Sequence, residues 1–522
     1  MTYSVPLFAP LIYCLSAAMA AAGPDQRPGR ILSIGQWLAF AAFAVAVASL
    51  ACLVINGPGT SVTLDANAFP LSIRVDLPSI VMLLLVTFIG WIVLRYSATY
   101  LDGEARQGHF TTWMNLTLAA VCLFVTAGSL PLFVASFIGT SLCLHQLLVF
   151  YPERQAARRA ARKKFILSRI ADSALCLAAL ILSVQYQTAD IATILTDARA
   201  GVHPDGIGMA TALIALAALL KSAQFPTHGW LTEVMETPTP VSALLHAGLV
   251  NAGGFLLIRF SDVMLLSPVT LAALVVVGAF TALFGGLVML TQSAVKTSLA
   301  WSTVAQMGFM ILQCGLALFP IALLHIVAHS LYKAHAFLSS GGAVEAVLSV
   351  RRPGPVAVPN GRAVWHAFLL ALVIYVIAGL AFGFWHKPPQ ALALGAILIF
   401  GVAYLLAQGL AGTAPRALTW RTSLYGLSAS FSYFALQWLT YKLTMGSLPL
   451  PVEPSDLQWA LMGLAIITFG LVAIAQSLFP LWAYHPAAAG LRVHLQNGLY
   501  INALFDRLLG HFALAPVASR KD

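Results

Sequence analysis

Long apolar runs recur along the chain, among them Ile31–Ile55, Ile80–Leu94 and Leu461–Phe479. A helix needs about 20 apolar residues to cross the hydrocarbon layer of a bilayer. In lipid every backbone polar group must be satisfied internally, so repeated runs of this length point to a bundle of spanning helices. Charge content agrees: 9% of the 522 residues are charged and 60% are hydrophobic, against about 25% charged in an ordinary soluble domain. The sequence therefore predicts an all-α polytopic membrane protein with about 13–15 transmembrane helices. No polar connection is long enough for a catalytic domain; the longest are residues 56–75, 186–206 and 347–363. A chain built this way must work inside the bilayer or through a partner.

Six cysteines, Cys14, Cys52, Cys122, Cys143, Cys176 and Cys314, are scattered through apolar runs with no Cys-x-x-Cys pair. They read as packing thiols, and no cofactor or metal site is expected in this chain. The net charge of +10 is distributed as in a membrane protein, not as on a nucleic-acid surface. Arg154, Arg158, Arg159, Arg162, Lys163 and Lys164 lie between two predicted spans, and the positive-inside rule puts that connection in the cytoplasm. Counting spans outward places Arg27, Arg30, Arg106, Arg351, Arg352, Arg362, Arg416, Arg421, Arg492, Arg507, Arg520 and Lys521 on the same side. Arg74, Arg199, Arg259, Lys387 and Lys442 fall opposite. The expected topology in a cell inner membrane has the N-terminus outside and the C-terminus inside. Pro6–Ala22 lacks a basic flank and reads as a first, retained helix. The tail after Pro486 reads as an amphipathic interfacial helix.

A charge at the centre of a span costs about 3 kcal/mol on insertion scales, which makes the few intramembrane ionisable residues functional candidates. Lys221 follows a run of apolar and small residues and precedes Pro226 by five residues. Proline breaks a helix, and freed carbonyls at the break can solvate an ammonium group. A lysine snorkelling from a helix end is the competing reading. His246 lies mid-run, with Gly248, Gly253 and Gly254 in the same span permitting close helix approach; alone it reads more readily as a packed histidine than as a proton carrier. His325, His329 and Lys333 recur at i, i+4 and i+8 on one helical stripe, with His335 elsewhere on the helix. Three titratable groups on one apolar stripe are hard to explain as packing. Arg169 and Asp172, three apart, can pair locally, as a structural bridge or a relay element alike. Lys296 stands at the start of a span and reads as an anchor for it. Histidine titrates near pH 6.5 or thereabouts unperturbed, and lysine responds to burial, so such a line suits proton movement. No phosphate loop or dinucleotide fingerprint is present.

The stretch LLKSAQFPTHGWLTEVMETPTPVSALLHAG resembles the signature of the antiporter-like subunits of respiratory complex I and of multi-subunit cation/proton antiporters. HIVAHSLYKAHAFLSSGG and VKTSLAWSTVAQMGFM resemble neighbouring segments of that family, and the likeness is good over roughly residues 75–350. It implies two inverted five-helix repeats with broken helices. On that basis the chain divides into N-terminal helices (1–108), a first repeat (109–262), a second repeat (263–412), C-terminal helices (413–485) and an amphipathic cytoplasmic tail (486–522). The resemblance assigns Lys221 as the broken-helix lysine, His246 as its partner in the next helix, and His325, His329 and Lys333 as the central ladder. It also assigns Arg169 and Asp172 as a charged pair, and puts Lys387 at the place of an exit-side lysine. One departure stands out. The family carries a glutamate in its fifth span, where this chain has Ile138, and Pro131–Tyr151 contains no acid. That absence, together with HAGLVNAGGFLLIRF, resembles the membrane subunit of the DAB inorganic-carbon transporter. This implies a large carbonic-anhydrase-like zinc protein of the DabA type as a cytoplasmic partner, and H⁺ or Na⁺ flow driving hydration of carbon dioxide to bicarbonate. Lysine and histidine favour H⁺. A cation/proton antiporter subunit, a respiratory pump subunit and a non-conducting membrane anchor are the alternatives.

Overall fold

The computed structural model describes residues 2–66, 69–342, 359–411, 414–482 and 484–510. Of the basic-side charges counted above, Arg351, Arg352, Arg520 and Lys521 lie outside the described residues. Among the described residues twelve helical segments are long and apolar enough to cross a membrane. Helix Ile207–Lys221 is equally apolar but shorter, at 15 residues. Val295–Gly315 and Arg416–Thr444 have the length, with more polar residues. The expected multi-pass helical architecture is what the chain adopts.

The first half contains α1 (Phe8–Ala22), α2 (Gly29–Asn56), α3 (Leu77–Tyr100), α4 (Gln107–Thr126), α5 (Leu130–Leu148) and α6 (Gln155–Gln185). Between α2 and α3 the polar connection folds into two small antiparallel ribbons. Gly59–Thr60 pairs with Arg74–Val75, and Leu64–Ala66 pairs with Phe69–Leu71. Asp76 then caps α3 by accepting the Ser79 amide at 3.0 Å, with Pro78 in the first turn, a favoured start for a helix. Next come α7 (Ile191–Arg199), α8 (Ile207–Lys221), α9 (Gly229–Glu233), α10 (Thr239–Ala247), α11 (Ala252–Arg259) and α12 (Ser261–Leu265).

Two interruptions shape this half. The helix α8 ends at Lys221, and the chain passes through Ser222–His228, including the cis Phe225–Pro226 bond, before α9 begins. Between α10 and α11 a short 3₁₀ turn at Leu249–Asn251 breaks the next span. The two breaks lie against each other. Ser222 Oγ donates to the Val250 carbonyl at 2.9 Å, and Gly253 lies so close to the Ala218 carbonyl and Ser222 Oγ that no Cβ fits. The expected role of Gly253 as a close-approach residue is realised at this contact.

The second half consists of α13 (Pro268–Met289), α14 (Val295–Gly315), α15 (Phe319–Leu338), α16 (Gly361–Ala381), α17 (Pro389–Gly409), α18 (Arg416–Thr444) and α19 (Asp456–Ser477). Helices α13 and α14 pack backbone to backbone. A Cβ on Gly278 or Gly308 would strike main-chain atoms of the facing helix, the small-residue contact that serves where lipid offers no hydrophobic drive. An apolar cluster joins α13–α15 to α17 and α19 through Leu312, Ile321, Leu394 and Met462. The tail forms α20 (Phe479–Trp482), α21 (Pro486–Gln496) and α22 (Ile501–Gly510). Leu491, Val493, Leu504 and Leu508 are exposed while Leu495 and Phe505 pack on the main core, the split surface of an amphipathic segment.

Charged side chains gather at two ends of the bundle. Arg259 donates to Asp76 at 2.6 Å, Arg74 joins the same carboxylate at 2.5 Å, and Arg199 pairs with Asp262 at 2.9 Å. These residues line one cavity of about 160 Å³, so the three arginines assigned to the less basic side share one end. Lys163, on the basic side, meets the tail.

Candidate functional site

Lys221 terminates α8 with its side chain 10% exposed. Its ammonium group lies 3.2 Å from Asp172 Oδ1 on α6 and 4.1 Å from the centroid of the Phe137 ring on α5. Phe137 is held by an aromatic cluster in which Phe124 contacts Phe133, Phe137 and Phe255 at centroid distances of 4.7, 5.5 and 5.4 Å. The other Asp172 oxygen is 2.5 Å from Arg169. One buried carboxylate thus serves two cations, which removes the snorkelling reading of Lys221. It also answers the question raised by Ile138: the counter-ion comes from α6, and the fifth span supplies an aromatic face.

A part of this site was read differently in the sequence. Lys163 and Lys164 counted there as charges of a connecting loop; α6 begins at Gln155, and both are buried within it, 2% and 4% exposed. Helix propagation wins because the arginine and lysine side chains of this stretch are good helix formers and both ammonium groups find partners. Lys164 donates to the Ser141 carbonyl at 3.0 Å and to its hydroxyl at 2.9 Å. It also lines, with Ser168, Lys221 and Trp230, a cavity of about 30 Å³, room for a water molecule or two. Lys164, Ser168 and Asp172 repeat at i, i+4 and i+8. That is the spacing of the ladder on α15, with a rise of about 6 Å per step.

The second group surrounds α15. His246, fully buried on α10, stacks on Phe337 at 4.4 Å and places Nδ1 3.1 Å from Thr303 Oγ1. That hydroxyl donates to the Leu299 carbonyl at 2.9 Å, which also accepts from Lys333 at 3.0 Å. Lys333 further donates to Ser302 Oγ at 2.8 Å. Thr303 spends its proton on Leu299, so Nδ1 of His246 is the donor to it and Nε2 is left with a free lone pair in the neutral ring. His329 Nε2 lies 3.2 Å from the His246 carbonyl, and the rings of His325 and His329 are 5.9 Å apart. His325 Nδ1 faces Gln313 Oε1 at 3.0 Å. The Nε2 atoms of His246 and His325 are buried without a protein partner, the setting in which ordered water completes a network.

The structure therefore brings the predicted residues into two groups. Arg169, Asp172 and Lys221 meet at the first helix break; His246, His325, His329 and Lys333 meet at α15. The groups adjoin through the second break, where Leu245 and Leu249 line the Lys221 cavity and Asn251 donates to Ser330 on α15 at 2.9 Å. His335 is exposed, apart from the ladder. Lys296 reaches Thr239 at 3.0 Å, tying the start of α14 to α10. Lys387, in the connection between α16 and α17, reaches α18, with its ammonium group 2.5 Å from Gln437 and over the Phe434 ring at 5.0 Å. Thr303, Ser302 and Gln313 carried no mark in the sequence, because their role depends on which face of α14 meets α15.

An all-helical membrane bundle with a lysine at an interrupted helix and a histidine–lysine ladder beside it defines an antiporter-like membrane subunit. The family described as NADH:quinone oxidoreductase/Mrp antiporter, TM, matches residues 127–353, and the complex I chain 5 N-terminus matches residues 62–111. A relative from Halothiobacillus neapolitanus, described as probable inorganic carbon transporter subunit DabB2, is 37% identical over 91% of this chain and 88% of its own length. The chain belongs to the DabB family of inorganic carbon transporter subunits. A second such relative, from Hydrogenovibrio crunogenus, is 43% identical over 57% of this chain and 58% of its own length. Among solved structures the Mrp complex from Dietzia sp. DQ12-45-1b superposes with a TM-score of 0.63 over 98% of this chain and 60% of the compared chain, at 23% identity, which speaks to the fold alone.

Proposed function

We propose that the chain conducts protons within an inorganic-carbon transporter, and that ion flow through it drives hydration of carbon dioxide to bicarbonate by a zinc-containing partner on the cytoplasmic face of the inner membrane. The observation that carries this reading is the buried pair of Lys221 with Asp172 at the helix break. An ammonium group in an apolar pocket is costly unless paired, and here its partner is shared with Arg169. Arg169 holds the carboxylate by its other oxygen. When the carboxylate leans toward Arg169, Lys221 is left against Phe137 and releases its proton toward the cavity. His246, His329 and His325 then offer ring nitrogens in steps, with Lys333 as the second lysine. The zinc chemistry belongs to the partner, a large carbonic-anhydrase-like protein of the DabA type.

Replacing Lys221 or Lys333 with alanine tests this reading in cells whose inorganic-carbon uptake depends on the complex. Uptake of bicarbonate is expected to be lost while the partner still co-purifies with the membrane subunit. Uptake that survives both changes sinks the relay and leaves the chain as an anchor. A cation/proton antiporter subunit would instead show cation-dependent flux and no dependence on the partner.

A further inference from the structure

A second charged cluster lies on the basic side of the bundle, outside the groups described above. Lys163 is 2% exposed, and its ammonium nitrogen lies 2.8 Å from Glu233 and 2.7 Å from Asp506. It also donates to Asn502 at 2.9 Å, and Asn502 in turn donates to Glu233. Glu233 sits on α9, directly beyond the first helix break, while Asn502 and Asp506 belong to α22 of the tail. The tail is seated firmly. Asn502 occupies the space in front of Gly229, where a Cβ would collide with it, and Gln292 donates to the Gln496 carbonyl at 3.3 Å.

This cluster backs onto the Lys221 cavity. Lys163 and Lys164 are consecutive in α6, one turned to the carboxylates and the other to the cavity. The short helix α9 is the wall between them: Glu233 faces the cluster, while Trp230 lines the cavity and keeps its buried indole N–H without a protein partner. The carboxylates of Glu233 and Asp506 are 25% and 30% exposed, so both reach water. From Lys164, the Ser168 and Asp172 stripe descends two steps to Lys221.

We propose that Glu233 and Asp506, set on either side of Lys163, form the mouth through which the path exchanges protons with water on the basic face. The carboxylates exchange protons between water and the Lys164 cavity across α9, and Lys163 positions both. The tail helix is then part of the conducting route, because it contributes Asp506. This inference rests on the proton-path reading above.

The test is proton flux through the full chain with its partner in proteoliposomes, followed with a pH-sensitive dye under an imposed gradient. At low buffer, Glu233→Gln and Asp506→Asn are each expected to slow the flux about tenfold, the low end of what local charge adds to an association rate. Raising the concentration of an impermeant buffer on that side should restore most of the rate, because mobile buffer replaces the exchanging carboxylates. Asp506→Glu should retain the wild-type rate. A defect in folding or tail docking would not respond to buffer, so a loss that buffer leaves unrepaired overturns the mouth. Wild-type or faster flux in both neutral variants, with Lys221→Ala still inactive, overturns the mouth and leaves the path standing. Unchanged flux in Lys221→Ala as well overturns the path itself.

Discussion

Asp172 serves Arg169 and Lys221 with one carboxylate, which makes it the residue whose loss is felt twice. Removing one member of a buried ion pair costs about 3–5 kcal/mol. Arg169 is 33% exposed and solvates part of its loss, so Asp172→Asn should destabilise the protein by about 3 kcal/mol, the low end of that range. Its proton flux should fall with it, and Asp172→Glu should recover part of both, measured by thermal melting in detergent and by vesicle acidification. Equal flux in Asp172→Asn and wild type would remove Asp172 from the path. At this scale the sequence was informative where spacing alone defines neighbours. His325, His329 and Lys333 share a helix, and their common stripe follows from the i, i+4 rule. Lys164, Ser168 and Asp172 have the same spacing, yet the basic run at Arg158–Lys164 masked it, because a string of charges reads as a solvated connection. Asp506 was out of reach: its partner Lys163 lies 343 positions earlier in the chain, and no local pattern joins them.

The elements that place these residues are held by close backbone contact and by charged ends. Gly278 and Gly308 let α13 and α14 touch through their main chains, and α14 carries Leu299, Ser302 and Thr303, which hold Lys333 and His246. A Gly308→Leu change must push the helices apart. Overpacking of this kind costs about 1–3 kcal/mol, and flux should drop because the Lys333 partners move. Melting and flux that match wild type would deny α14 its positioning role. At the opposite end, burial alone would lift the Asp76 carboxyl, but Arg259 and Arg74 beside it hold it well below the usual carboxylate range. A depressed folded value means that its stabilisation is complete above the unfolded carboxylate value of about 4 and is lost only as pH falls through the folded one. Melting temperature between pH 5 and 8 or so should therefore be indifferent to Asp76 titration, while Asp76→Asn should lower it throughout that window by leaving Arg259 buried and unpaired. A wild-type melting curve that slopes through this window in a way Asp76→Asn abolishes would contradict the assignment. The break at Pro226 was legible, since proline ends a helix wherever it falls. The second break at Leu249–Asn251 was not: Gly248 marked a place where it could occur, but the turn is fixed by Asn251 bonding to Ser330 on α15.

Across the whole molecule, the two groups of ionisable residues are built around two inward-facing stripes, on α6 and α15, joined by Lys221 from α8 and His246 from α10. Each of these is the third spanning helix of one proposed repeat, 109–262 and 263–412. The helical class and the membrane setting were legible from apolar run length alone, because lipid leaves few backbone solutions. The way the tail closes on the basic side was not, since an amphipathic segment has no preferred partner until the bundle presents one. Those basic residues, with the three arginines gathered at the other end, are consistent in their grouping with a cytoplasmic tail; cysteine labelling of a tail residue such as Leu508 from inside but not outside intact cells is the expected result, and labelling from outside would reverse the topology. The central claim is that protons cross through Asp172 and Lys221 and then through the His246, His325, His329 and Lys333 group. It is tested most directly by proton flux into proteoliposomes holding the complex, comparing wild type with Lys221→Ala and Lys333→Ala at equal protein load. The path predicts a protein-dependent collapse of the imposed gradient that both variants lose; collapse at the wild-type rate in either variant would contradict it.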